Sequence, residues 1–310
     1  MQPDLSVKIA GVTLKNPVIA ASGTFGFGRE YSKLFDLKEL GGISLKGMTL
    51  EERNGNPPPR VAETPSGMLN CVGLQNPGID YFLEYELPFL RKQDTTIICN
   101  IAGNTVSEYC EMAQRLSETD IDMIELNISC PNVKKGGAAF GTDCESAAHI
   151  TREVRKYCKK PLIVKLSPAV ADIAAIAQAV EAEGADAVSL INTLLGMRID
   201  IKTRKPILSN NVGGLSGPAI FPVALRMVWQ TARRVNIPVI GIGGISKWQD
   251  AIEMFLAGAC AVQVGTATFT DPFAMIKIRD GIKNYFEENG IGSVSEICGK
   301  VQPYETGILY

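Results

Sequence analysis

Histidine is almost absent: His149 is the one such residue in a chain of 310. Multi-histidine metal centres are thereby excluded. So is a histidine-based triad, because His149 stands in a polar, helix-like segment at 145–150 that reads as surface or structural. Eight cysteines are present, Cys71, Cys99, Cys110, Cys130, Cys144, Cys158, Cys260 and Cys298, but no two are spaced as C-x-x-C. A zinc or iron–sulfur site is therefore not expected in this chain. No apolar stretch reaches the roughly 18 residues that a membrane helix needs. The first residues, Met1-Gln2-Pro3-Asp4, lack the charged-then-apolar pattern of a secretion leader. Reduced thiols and a cytoplasmic location are the expectation. An excess of charge of one sign is missing too. The net charge of -2 gives no reason to expect nucleic acid or an anionic membrane as partner. No G-x-G-x-x-G follows the first strand-like run, which argues against a doubly wound dinucleotide-binding sheet.

What the sequence does contain is a repeating order. Apolar residues make up 45% of it and charged residues 21%. That is globular composition, and a chain this long buries a sizeable core. Alternating residues at 5–9 and 12–14 flank the turn signal Ala10-Gly11 and predict a small hairpin before the main fold. Short apolar runs then recur at 17–21, 42–45, 96–101, 121–128, 161–166, 187–191, 238–242 and 261–264. Amphipathic stretches at 106–116, 147–157, 170–183, 219–235 and 247–256 lie between them. Strand alternating with helix means a parallel α/β sheet. Eight such strands in about 250 residues fit a closed (β/α)8 barrel, read here as one catalytic domain over 1–310 with long active-site loops.

The ends of these runs carry the chemistry. The second ends Ser44-Leu-Lys46-Gly47, the third Cys99-Asn100, the fourth Asn127-Ile-Ser-Cys130, the fifth Val164-Lys165-Leu-Ser167-Pro168 and the sixth Ile191-Asn192-Thr193. In a barrel such tips converge on one mouth, where active sites of this fold sit. One polar strand end alone reads as a satisfied structural group. Two lysines and three asparagines together favour negative charge and amide-like hydrogen bonding. The seventh and eighth runs end instead in Gly241-Ile-Gly243-Gly244-Ile245 and Val264-Gly265-Thr266-Ala267. Glycine lets backbone N–H groups approach an anion, and the loops after strands seven and eight are the usual phosphate site of the barrel. Residues 211–218, with Gly213, Gly214 and Gly217, add more close-approach backbone. Tight turns needing positive φ are the plainer explanation of these glycines. A phosphate there suggests a phosphorylated substrate or cofactor. Residues 47–94 are far more than a normal βα connection. Met68, Leu69, Val72 and Leu74 within them argue for an ordered, functional insert.

The fourth run shows the turn from strand to site. Ile124, Leu126 and Ile128 alternate with Glu125, Asn127 and Ser129, as in a pleated strand. Pro131 cannot continue a central strand, so the run stops by presenting Cys130 at its tip. Cys130 alone would read as a small buried hydrophobe. Between Asn127 and Pro131 at a barrel mouth it reads as a functional thiol.

Ser44-Leu-Lys-Gly, Asn70-Cys-Val-Gly-Leu-Gln-Asn, Asn127-Ile-Ser-Cys-Pro-Asn-Val-Lys, Val164-Lys-Leu-Ser-Pro and Gly241-Ile-Gly-Gly-Ile together resemble the dihydroorotate dehydrogenases, flavin enzymes of pyrimidine synthesis. The likeness covers nearly the whole chain, with no departure at the motif positions. Cysteine rather than serine at 130 looks like class 1. The continuation Asn132-Val-Lys-Lys-Gly-Gly137 looks like the type B catalytic subunit. That type works with a second subunit carrying FAD and a 2Fe–2S cluster and passes electrons to NAD. The resemblance also implies a homodimer core within a heterotetramer, FMN on this chain, and oxidation of dihydroorotate to orotate. Cys130 would take the C5 proton and flavin N5 the C6 hydride.

The remaining roles join the resemblance to the strand tips. Lys165 would set a cation by the flavin ring, and Lys46 would touch both flavin and substrate. Asn70, Cys71, Val72, Gly73, Leu74, Asn127, Asn192 and Thr193 would meet the substrate. Ser22, Gly47, Asn100, Asn127 and Ile191 would touch the flavin. Gly217, Gly243, Gly244, Gly265 and Thr266 would hold its phosphate and ribityl end. Residues 134–141 would form a lid. No metal is expected. The competing readings are a type A homodimer using fumarate, a flavin-free sugar-phosphate lyase or isomerase with Lys165 as Schiff base, and a non-catalytic barrel scaffold. The stretch 133–137 leans against the first.

Overall fold

Ala10 and Gly11 both take positive φ, 49° and 90°, and close the antiparallel hairpin of β1 (Val7–Ile9) and β2 (Val12–Leu14). The chain then enters a barrel with β3 (Val18–Ala20) and β4 (Gly42–Ser44). It leaves for a second hairpin, β5 (Val61–Thr64) and β6 (Gly67–Asn70). The barrel resumes with β7 (Thr96–Ile101), β8 (Met123–Asn127), β9 (Leu162–Lys165) and β10 (Ala187–Leu190). Four short strands follow outside it: β11 (Leu194–Gly196), β12 (Ile199–Asp200), β13 (Lys205–Pro206) and β14 (Gly213–Ser216). β15 (Val239–Ile242) and β16 (Ala261–Val264) complete the ring. The computed structural model describes residues 2–129 and 140–304.

The eight barrel strands are parallel and close in the order β10-β15-β16-β3-β4-β7-β8-β9. Each coincides with one of the eight apolar runs, so the (β/α)8 architecture expected from the sequence is the one the chain adopts. Apart from Thr96, every residue in these strands is buried. The reason is geometric: helices cover the outside and side chains fill the inside, so neither face meets water. Cys99, within β7, is fully buried, and burial pushes its thiol well above the ordinary value; it is a small core hydrophobe.

The covering helices are Val106–Ser117, Cys144–Arg155, Ile173–Ala182, Phe221–Ala232, Trp248–Ala257 and Ala274–Asn289. Three start on side-chain caps: Thr105, Asp143 and Asp172 accept from backbone N–H groups of the first turn. The helix Ala274–Asn289 escaped the periodicity reading, and Gly281 within it shows why. A Cβ there would lie 2.3 Å from the Trp248 ring, so the position trades helix propensity for aromatic packing.

The two excursions from the barrel meet above its mouth. β5, β6, β14 and β11 form one antiparallel sheet in the order β11-β14-β6-β5. This sheet roofs the C-terminal ends of the barrel strands. The expected ordered insert is thus half of a two-part roof, and the other half comes from residues 194–216.

Candidate active site

Between roof and barrel mouth lies a cavity. Reaching it from the strand ends are Lys46 and Gly47 after β4, Asn100 on β7, Asn127 on β8, Lys165 on β9 and Ile191, Asn192 and Thr193 after β10. Asn70, Val72, Gly73 and Leu74 enter from the roof, and Ser22 from the loop after β3. Gly217, Gly243, Gly244, Gly265 and Thr266 line the opposite side. These residues come from nearly every loop at the C-terminal face, and the barrel brings them together.

Cys71 is a correction. It was expected at the substrate, but the strand period at the end of β6 sends it the other way. Its side chain is fully buried with Leu69 and Leu208, its sulfur lying 3.8 Å from Ser209 Oγ and 3.9 Å from the Pro59 carbonyl. Its backbone N–H donates to the Arg60 carbonyl. Cys130 and most of the expected lid, through residue 139, lie outside the described residues.

The polar atoms of the cavity are unequally satisfied. Asn127 Oδ1 accepts from the Ser129 hydroxyl at 2.9 Å, and Asn192 Nδ2 donates to the same hydroxyl oxygen at 2.7 Å. These bonds fix the two amides against each other. Asn70 Nδ2 donates weakly to the Gly214 carbonyl at 3.4 Å across the roof. Lys165 is 5% exposed, and its ammonium has one partner among the described residues, Glu125 Oε2 at 4.0 Å, beyond hydrogen-bond reach. Asn100 Oδ1 is buried and accepts no hydrogen bond among the described residues. A buried acceptor and a buried ammonium left without hydrogen bonds in one cavity mark a place built for a ligand that supplies them.

The glycine side has different constraints. Gly243 and Gly244 take φ of 121° and 74°, and a Cβ on Gly244 would stand 2.7 Å from the Phe221 backbone nitrogen. Those two are glycine for reasons of backbone. Gly265 is not: its φ is ordinary, and a Cβ would meet nothing nearer than 3.5 Å. Glycine there keeps space open beside Thr266, whose Oγ1 shares a 2.7 Å hydrogen bond with Ser216 Oγ from the roof.

Sequence reading missed several contributors. Thr24, Met68, Ser216, Ser246 and Phe269 also line the cavity. Ser216 and Met68 belong to the roof, whose pairing has no strong periodic signal. The alternation places Glu125 on its strand and points to no task for it, because nothing adjacent in sequence marks its partners.

A family model for dihydroorotate dehydrogenase matches residues 4–286. The chain belongs to that family. Among its relatives is the protein of Bacteroides thetaiotaomicron called dihydroorotate dehydrogenase B (NAD(+)), catalytic subunit. It is 56% identical over 300 residues, which cover 96% of this chain and 99% of that relative. A protein of Desulforamulus reducens with the same name is 57% identical over an equal length. The crystal structure of the Eimeria tenella dihydroorotate dehydrogenase in complex with ferulenol superposes with a TM-score of 0.79. At 22% identity, over 96% of this chain and 88% of that one, it shows a shared fold.

Membership in a flavin-dependent family asks whether FMN suits this cavity. The isoalloxazine ring offers carbonyl oxygens and ring N–H groups on one edge, and the tail ends in a phosphate. Lys165 brings unsatisfied donors, Asn100 Oδ1 an unsatisfied acceptor, and the Gly265 side open backbone. The residues present fit the group.

Proposed function

We propose that this chain is the FMN-containing catalytic subunit of an NAD-linked dihydroorotate dehydrogenase, one barrel domain that oxidises (S)-dihydroorotate to orotate in pyrimidine synthesis. The observation that carries it is the meeting of Lys46, Lys165, Asn100, Asn127 and Asn192 in one roofed cavity whose far side is glycine. When bound, FMN supplies the hydride acceptor.

The chain's own residues divide the rest of the work. Lys165 sets a buried positive charge where negative charge develops in the ring system. Lys46 stands between ring and substrate carboxylate. Asn70, Asn127, Asn192 and Thr193, with backbone from Val72, Gly73 and Leu74, offer the mixture of donors and acceptors that an imide and a carboxylate require. Ser22, Gly47, Asn100 and Ile191 border the ring. Gly217, Gly243, Gly244, Gly265 and Thr266 hold the phosphate and ribityl end. The roof excludes water. No histidine lines the cavity among the described residues, so the C5 proton is assigned to Cys130, three residues beyond Asn127.

Electrons leave through a second subunit carrying FAD and a 2Fe–2S cluster, with two copies of this chain at the centre of a heterotetramer. The relatives' shared name of catalytic subunit supports a separate partner chain. No helix among the described residues is long and apolar enough to cross a membrane. The seven described cysteines are unpaired, as suits a cytoplasmic protein.

Rapid mixing of the flavin-loaded chain with dihydroorotate tests the assignment. Cys130→Ala is expected to slow flavin reduction by about 10²–10⁴-fold, the range for loss of a general base. Reduction at the wild-type rate removes Cys130 from the role. Co-purification with a brown, iron-containing chain tests the partner.

A further inference from the structure

Beneath the cavity floor lies a carboxylate that none of these roles uses. Glu125, on β8, is fully buried. Ser44 Oγ on β4 and Asn100 Nδ2 on β7 donate to its Oε2 at 2.7 and 2.6 Å. Ser189 Oγ on β10 and Gln263 Nε2 on β16 donate to its Oε1 at 2.8 and 2.7 Å. With Lys165 on β9, six of the eight barrel strands meet at this one group.

A buried anion is costly even when paired, and apolar side chains fill a barrel at lower cost. What an anion does that they cannot is accept without ever donating. Asn100 and Gln263 must therefore both turn their NH2 groups toward Glu125. Each is left with a buried amide oxygen that has no hydrogen-bond partner among the described residues, Asn100 Oδ1 and Gln263 Oε1. For Asn100 that oxygen stands beside Gly47, where an added Cβ would come within 2.9 Å of it. Asn100 and Gly47 both line the cavity. A glutamine at 125 would present an NH2 of its own and remove the reason for Asn100 to keep this orientation.

We propose that Glu125 is a positioning residue: its carboxylate holds the Asn100 oxygen toward the flavin ring and places beside Lys165 a negative charge that sets how readily the bound flavin is reduced. The inference rests on the flavin reading above. Burial pushes the Glu125 carboxyl up, but Lys165 and the hydrogen bonds from Ser44, Asn100 and Gln263 outweigh it. The group sits below its ordinary value and is charged at neutral pH.

The test is the midpoint potential of the flavin in the loaded chain, read by dye-equilibrated reductive titration. Glu125→Gln keeps the shape and removes the charge. The site becomes more positive, and the potential is expected to rise, shifting the oxidised–reduced equilibrium about tenfold, or about 30 mV for a two-electron couple. Glu125→Asp keeps the charge and is expected to stay near the wild-type potential. A Gln variant at or below the wild-type potential overturns the proposal, as does an Asp variant displaced as far as the Gln variant. If Glu125→Gln does not fold, Ser189→Ala carries the test. It takes one donor from the carboxylate without touching the cavity, leaves the charge less screened, and should lower the potential; an unchanged potential overturns the proposal. A purely structural role would lower melting temperatures and move none of these potentials. A wild-type chain that binds no FMN contradicts the proposed function itself, which is a separate failure.

Discussion

Lys165 sets a buried ammonium in the cavity, 4.0 Å from Glu125 Oε2. Its place at a strand end, with parity putting it at the mouth, predicted that it would reach a shared cavity, and it does. Its near-isolation from hydrogen-bonding partners among the described residues was not predictable, because that depends on which atoms of other strands approach it. Lys165→Met keeps length and apolar stem while deleting the charge. Flavin reduction by dihydroorotate should then slow about 10²-fold in rapid mixing, the usual loss when one preorganised electrostatic contact is removed. FMN should still bind through the glycine side, so the flavin content of the purified variant separates a slow site from an empty one. Cys71 illustrates the opposite case. It sits inside a motif whose neighbours line the cavity, yet one step along a pleated chain reverses the side chain. Motif membership alone did not distinguish it from Val72.

At the scale of elements, the barrel strands were legible because burial on both faces leaves continuous apolar runs. The roof was not. β11 and β14 are short, and β14 begins Gly213-Gly214, which carries no hydrophobic signal. Its pairing depends on close backbone approach: a Cβ on Gly214 would fall 2.1 Å from Thr193 Oγ1. Gly214→Ala should push the roof off the mouth at a cost of about 1–3 kcal/mol for overpacking. Calorimetry with orotate should show weakened binding, while FMN retention stays near wild type. The helical layer makes a separate prediction. Asp172 caps the helix Ile173–Ala182 through the N–H groups of Ala174 and Ala175, and accepts from Arg234 at 2.6 Å. The Arg234 hydrogen bond, ahead of the opposing burial effect, holds this carboxyl below its ordinary 3.8. Asp172→Ala should cost about 1 kcal/mol at neutral pH, the usual value of such a cap. Because the folded value is the lower one, that stability is present above the ordinary value and fades as pH falls through the folded one. Melting curves of wild type and variant should therefore converge in acid.

For the whole molecule, Glu125 ties together strands that the chain order keeps far apart. Its four hydrogen-bond donors are 25 to 138 residues away in sequence. That separation is why a strand pattern could place Glu125 but not explain it. Removing the carboxylate leaves four buried donors without their acceptor and a buried ammonium without its counter-charge. Glu125→Leu should therefore destabilise the barrel by about 3–5 kcal/mol at neutral pH, the range for breaking a buried charge pair from one side. The pH dependence follows from the direction of the shift. The folded carboxyl lies below its ordinary 4.5, so its contribution is complete above that value and is lost as pH falls through the folded one. Denaturant unfolding of wild type and Glu125→Leu, followed from neutral pH into acid, should show a gap that narrows as the wild-type carboxylate takes up its proton. A gap that widens as pH falls toward the ordinary value would mean that Glu125 is protonated in the native barrel, because the folded state would then bind a proton that the unfolded state lacks. The centre of the molecule would then be neutral, and Lys165 would lack the one counter-charge that the described residues provide.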